Sequence, residues 1–241
     1  MTAIKTIGFI GFGALARLAA KHLAPHFAIK AHDPHADEPQ DGVALTTLWE
    51  TAACDAVVFA TPVSALESAA IAAAPHLRPG ALVLDVGSVK VAPAEILQRV
   101  LPPGVELIGT HPLFGPQSAK NGIEGLKIAL CPLRCERTEC VANFLRGLGL
   151  EVIVCTPEEH DREAATVQGL THLIAKILVQ MEPLPEHLTT RSYELLIQAI
   201  SLVRHDPPGV FEAIERTNPY AAEVRARFLA IANEFDDSFK A

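Results

Sequence analysis

The stretch Ile4–Ala16, IKTIGFIGFGALA, constrains this chain more than any other. Ile4, Ile7, Phe9 and Ile10 form an apolar run of strand length, and Gly11, Gly13 and Ala16 follow in the spacing G-x-G-x-x-A. In a strand–turn–helix unit each small residue has its own task. The first permits the sharp turn, the second lets a pyrophosphate approach the backbone, and the third lets helix and strand pack closely. The helix start, with Ala14 and Leu15 in its first turn, offers unpaired N–H groups and a partial positive charge to the phosphates. Leu15, Leu18, Ala19 and Leu23 continue the apolar pattern of a helix lying on a sheet. A second strand, Phe27–Ala31, runs into His32 and Asp33. Asp33 stands 20 residues past Gly13, where a carboxylate takes the ribose 2′-hydroxyl of NAD. The same charge disfavours the 2′-phosphate of NADP, an exclusion that protonated His32 and His35 would soften. NAD is the expected cofactor and NADP the second choice.

Asp55–Ala60, DAVVFA, is a continuous apolar run, as in a parallel strand covered on both faces. Ala81–Val86, Val105–Gly109, Lys127–Cys131 and Glu151–Val154 extend the sheet, with helices expected over Leu45–Ala53, Val63–Leu77, Ala92–Leu101 and Arg137–Leu148. Strand carboxyl ends face the ligand in a doubly wound fold, so Thr61 and Pro62 are expected to border the cofactor. From Pro157 no strand-like run recurs. Helices are expected over Glu158–Met181, Glu186–Arg204, Val210–Arg216 and Tyr220–Phe235. The fold class is therefore α/β. A Rossmann-like, doubly wound dinucleotide-binding domain (residues 1–155) precedes an all-helical substrate and dimerisation domain (residues 156–241). A helical region of about 85 residues is small for an independent core, so a homodimer packed through these helices is expected.

A net charge of −8 and a pI near 5.7 argue against a nucleic-acid partner, which calls for a basic patch. No apolar run reaches membrane-spanning length and no signal-type start is present, so a reducing cytoplasm is the expected compartment. Cys54, Cys131, Cys135, Cys140 and Cys155 contain no C-x-x-C pair and are read as thiols rather than metal ligands.

Two strand ends bring reactive groups to the ligand edge, Ser88 from one and His111 from the other. A nicotinamide reaction needs a base to take a hydroxyl proton, and imidazole suits that task. Ser88 is placed to hydrogen-bond the His111 ring and orient it. His172, in an apolar helical stretch, is a further candidate. The other eight histidines are read as surface or capping residues, and Lys90, Lys120 and Arg191 as solvated charges within possible reach of a substrate carboxylate.

DVGSVK, THPLFGPQSAKNG, CTPEEHD, the Gln168–His172 stretch, TTRSYELL and TNPYAAE occur in order between Ile7 and Glu223. Together they resemble the prephenate/arogenate dehydrogenase family of tyrosine biosynthesis, and its plant-like branch most. The resemblance implies oxidative decarboxylation of a cyclohexadienol, with His111 as catalytic histidine and Ser88 supporting it near the nicotinamide. It also implies a substrate pocket containing Gln168, His172 and Thr190. Asp206 falls where an acid accompanies arogenate preference, and a carboxylate also suits a helix cap there. The better-known bacterial branch has S-H-L-P-H in place of Gln168–His172 and an arginine about where Gln198 stands, so the substrate's carboxylate anchor is left open. The alternatives are prephenate as substrate, another reductase of this architecture, which leaves THPLFGP unexplained, and a non-catalytic NAD-sensing module, against which Ser88 and His111 argue.

Overall fold

The computed structural model describes residues 3–36 and 40–240. Helices and strands alternate through its first part: β1 (Thr6–Ile10), α1 (Ala14–Leu23), β2 (Ala28–His32), β3 (Val43–Leu45), α2 (Leu48–Ala52), β4 (Ala56–Phe59), α3 (Val63–Ala73), β5 (Leu82–Asp85), α4 (Val91–Val100), β6 (Glu106–Pro112), β7 (Lys127–Arg134), α5 (Thr138–Gly147) and β8 (Glu151–Val154). The strands form one sheet in the order β3-β2-β1-β4-β5-β6-β7-β8. Every pairing is parallel except β6 with β7. The order reverses at β1, and β4 returns on its other side, so β1 and β4 flank the switch point where such sheets bind ligands.

Alternation along the strands explains the two-sided core. Val57, Phe59, Val83 and Leu107 pack on one face with Leu66, Ala70 and Leu97 of α3 and α4. Their neighbours Ala56, Val58, Leu82 and Ile108 pack on the other face with Ala16 and Ala20 of α1 and Ala142 of α5. Central strands buried on both sides read as continuous apolar runs, which is the pattern of DAVVFA and ALVLDV.

The remaining elements are helical: α6 (Pro157–Ala164), a π-helical segment (Ala165–Gly169), α7 (Leu170–Gln180), α8 (Arg191–Val203), α9 (Pro208–Glu212), a second π-helical segment (Ala213–Thr217) and α10 (Ala221–Ser238). No helix among the described residues is long and apolar enough to cross a membrane.

Three expected boundaries are corrected. The helix expected over Leu45–Ala53 gives way to β3, whose Leu45 pairs with Ala31. The helix itself starts at Leu48, because Thr47 and Glu50 form a capping box that fixes its first turn. The expected Glu186–Arg204 helix begins only at Arg191, where the Thr190 hydroxyl accepts the Tyr193 N–H at 3.3 Å. The strand read as Lys127–Cys131 runs on to Arg134, held by its antiparallel pairing with β6.

Candidate active site

The ends of β1 and β4 meet at the glycine turn. Gly11 has φ +89°, and a Cβ there would stand 2.7 Å from the Ala60 carbonyl group and 2.9 Å from the Thr61 nitrogen, so only glycine fits. Gly13 is different. Its backbone is extended, with φ −75° and ψ −170°, and a Cβ built on it meets nothing within 4 Å. It caps α1 without a side-chain acceptor, so the first-turn N–H groups, which begin at Ala14 and Leu15, receive no cap from it. These donors and the helix dipole fit a phosphate group. Asp33 follows β2 beside the turn. Its Oδ2 accepts the Phe12 N–H at 2.7 Å and its Oδ1 the His35 N–H at 2.8 Å, and each oxygen retains accepting capacity for a ribose hydroxyl. Thr61 abuts the turn, its hydroxyl buried without a partner, and Pro62 caps α3. The seven sequence-read cofactor residues thus lie at or next to one turn.

The second feature is a chain of buried groups at the end of β6. His111 is 5% exposed, and its Nδ1 lies 2.8 Å from Nε2 of His160. His160 in turn places Nδ1 2.8 Å from Oδ1 of Asp161, a fully buried carboxylate. A carboxylate accepts only, so His160 carries its proton on Nδ1 and accepts on Nε2. His111 therefore carries its proton on Nδ1 and presents an unprotonated Nε2. Asp161 also accepts the N–H groups of Lys90 (2.7 Å) and Val91 (2.9 Å), which open α4, so the anion sits on a helix N-terminus. Burial first, then the neighbouring His160, Lys90 and His172, push the His111 imidazole well below its ordinary value of 6.5. The ring is a neutral base at neutral pH.

This arrangement corrects three sequence readings. His160 is not a surface or capping histidine but the group that orients His111. Ser88, half-buried after β5, is not the ring's partner, since the two ring nitrogens meet His160 and Gln168. Lys90 is not a solvated charge. It is 1% exposed, its ammonium paired with Asp85 and donating to the Thr110 carbonyl at 2.7 Å. Burial raises the Asp85 carboxyl and the Lys90 charge opposes that rise.

Gln168 and His172 come from the far side. Gln168 lies in the first π-helical segment, a geometry often found at functional sites, and its amide nitrogen is 3.3 Å from Nε2 of His111. Its amide oxygen is buried without a partner. His172 is buried one turn on, with Nδ1 3.0 Å from the Gln168 carbonyl and Nε2 3.1 Å from Asp206. Both its nitrogens face acceptor oxygens. Asp206 meets His172 through Oδ2, and α9 has Pro207 as its N-cap with no side-chain cap bond. Thr190 is an exposed cap of α8, bonded to Ser192 and Tyr193, and Gln198 is exposed on the same helix. His160, Gln168 and His172 are spaced by multiples of four, so the sequence held a one-face signal for them, as it did a T-x-x-E capping box at Thr156–Glu159 that starts α6.

An apolar cavity of about 460 Å³ lies between α1, α5 and the sheet; none of the candidate catalytic groups lines it.

A mostly parallel sheet, a glycine turn at its switch point and an open helix start define a Rossmann-type dinucleotide-binding protein, with a buried histidine on the carboxyl edge. Residues 32–154, half of the chain, match the nucleotide-binding domain of prephenate dehydrogenase, and the chain belongs to the prephenate dehydrogenase family. It is 31% identical over 197 residues to the Methanocaldococcus jannaschii protein named "Probable arogenate/prephenate dehydrogenase", covering 77% of this chain and 44% of that one. It is 28% identical over 160 residues to chloroplastic arogenate dehydrogenase 1 of Arabidopsis thaliana, covering 64% and 25%. The chain thus spans less than half the length of these relatives. Its fold is similar to the crystal structure of prephenate dehydrogenase from A. aeolicus in complex with hydroxyphenyl propionate and NAD+, with a TM-score of 0.75 at 19% identity, covering 98% of this chain and 91% of that one.

The two glycines separate folding from binding. Gly13→Val is expected to keep stability within about 1 kcal/mol, because its side chain enters open space, while NAD affinity falls at least about tenfold by blocking the phosphate approach. Denaturant melts and calorimetric titration with NAD check this. A variant that binds NAD like the parent contradicts the crevice assignment.

Proposed function

We propose that this chain is an NAD-dependent arogenate/prephenate dehydrogenase that prefers arogenate, with residues 1–155 binding the nucleotide and residues 156–241 completing the substrate site. The observation that carries the reading is the hydrogen-bonded row His111–His160–Asp161 at the strand edge that also holds the glycine turn, from which an unprotonated Nε2 of His111 follows. Membership of the family supports the reaction class, and relatives bearing both substrate names support the pairing of substrates.

In this reading Gly11, Gly13 and the α1 start with Ala14 and Leu15 hold the pyrophosphate. Asp33 holds the adenosine ribose, and Thr61 and Pro62 border it. Bound there, NAD supplies the hydride acceptor. His111 takes the ring hydroxyl proton as the adjacent C–H leaves as hydride. It returns that proton to the phenolate oxygen when carbon dioxide departs and the ring becomes aromatic. Gln168 and His172 line the substrate's path, and Ser88 lies beside the reacting end. The position of Asp206 supports arogenate: only one of its oxygens meets His172, and the other is left to pair with an ammonium. Exposed Met181, Leu195, Leu202 and Phe235 on the helical region support burial against a second copy.

Assays of the purified protein with arogenate and prephenate, each with NAD and NADP, test the reading. Arogenate with NAD is expected to give the highest kcat/KM, and His111→Asn to lower kcat by about 10³-fold or more while NAD still binds. Turnover of neither substrate contradicts the reaction, and loss of NAD binding in the variant makes His111 structural. Because burial depresses the His111 pKa, the base form persists as pH falls past 6.5. The acid limb of kcat/KM is therefore expected below pH 6.5; a limb at or above it contradicts the buried neutral base.

A further inference from the structure

We propose that Cys131 and Cys155 are a reversible dithiol–disulfide pair that acts on the His111 site. Their sulfurs lie 3.7 Å apart in β7 and in the residue that follows β8. The backbone holds them there, since the Cys155 N–H donates to the Leu130 carbonyl at 3.0 Å. The other thiols are engaged elsewhere or apart. Cys54 is buried against the Glu50 carbonyl, Cys135 donates to Glu106 at 2.8 Å, and Cys140 is exposed.

The two members of the pair have unequal settings. Cys131 is fully buried, and Cys155 is half-buried and reachable. The hydrogen bond between them, in the first place, lowers the Cys155 thiol and raises that of Cys131, which burial raises further. Cys155 is thus the attacking thiol and Cys131 the resolving one. With hydrogen peroxide as oxidant, the Cys155 thiolate attacks one peroxide oxygen and the O–O bond breaks. Cys155 becomes a sulfenic acid, and the released hydroxide takes up a proton as water. The Cys131 sulfur then attacks the Cys155 sulfur. The S–S bond forms, the S–O bond breaks, and hydroxide leaves with the Cys131 proton as a second water. Sulfur is oxidised and peroxide reduced.

The location gives the bond its effect. Cys131 lies opposite Gly109 on β6, two residues before His111. Cys155 immediately precedes Thr156, the cap of α6, which carries His160 and Asp161. A disulfide therefore ties together the roots of the two segments that meet at the His111–His160 hydrogen bond.

The test is mild hydrogen peroxide treatment of the intact, folded protein, followed by mass measurement and tryptic mapping. The expected product is about 2 Da lighter, with peptides 128–134 and 147–162 joined, and is restored by dithiothreitol. Cys155→Ser should abolish the link, and Cys140→Ser should leave it intact. Oxygen addition at Cys155 with Cys131 still free, a link through any other cysteine, or no reaction at either thiol overturns the proposal. Turnover in the oxidised sample is expected to fall about tenfold or more and to return on reduction. That readout alone rests on the dehydrogenase reading, whereas the cross-link does not. A cross-linked protein of unchanged turnover overturns the control of the site.

Discussion

The buried carboxylate of Asp161 is the contact on which the geometry of the site depends. An ionised carboxylate without exposure is costly unless donors surround it. Here three converge: the N–H groups of Lys90 and Val91 at the head of α4, and Nδ1–H of His160. The α4 dipole adds a partial positive charge at the same place. The Asp161 carbonyl accepts from the Asn218 amide at 2.7 Å, so the chain beyond the second π-helical segment is drawn to the same point. One residue therefore fastens α6 to the sheet edge and, through the hydrogen-bond sequence, sets which nitrogen of His111 carries the proton.

A second buried charge gives that edge its electrostatic character. The Lys90 ammonium, with Asp85 and the Thr110 carbonyl as partners, lies beneath the end of β6. Gly109 leaves room for it, since a Cβ there would stand 3.3 Å from Lys90 Cδ. Positive charge nearby and loss of solvent both disfavour a protonated His111. The base is thus kept neutral by its surroundings while its orientation is supplied by His160. Charge and orientation come from different parts of the chain.

The β1–turn–α1 unit was legible because its signature is local: Gly11, Gly13 and Ala16 stand in one short run, even though the backbone that excludes a Cβ at Gly11 belongs to Ala60 and Thr61. DAVVFA was legible because burial on both faces leaves no polar position. The strand Val43–Leu45 was not, since three residues carry no period and its pairing with β2 is a tertiary fact. Lys90 and His160 were misread for a related reason. Charge and polarity are local properties, but burial is set by what packs above, and their partners lie 5 and 49 residues away. Ser88 was rightly placed near the edge, yet the hydrogen bond assigned to it belongs to a helix whose docking no spacing rule describes. The spacing of His160, Gln168 and His172 was present in the sequence, although a spacing of four on a helix is more often ordinary packing.

The tautomer of His111 is the most direct measure of the Asp161–His160–His111 connection. Two-bond ¹H–¹⁵N spectra of the imidazole rings at neutral pH distinguish protonated from unprotonated ring nitrogens. The account predicts a neutral His111 with Nδ1 protonated and Nε2 bare. A His111 protonated on Nε2 alone, or on both nitrogens, contradicts it.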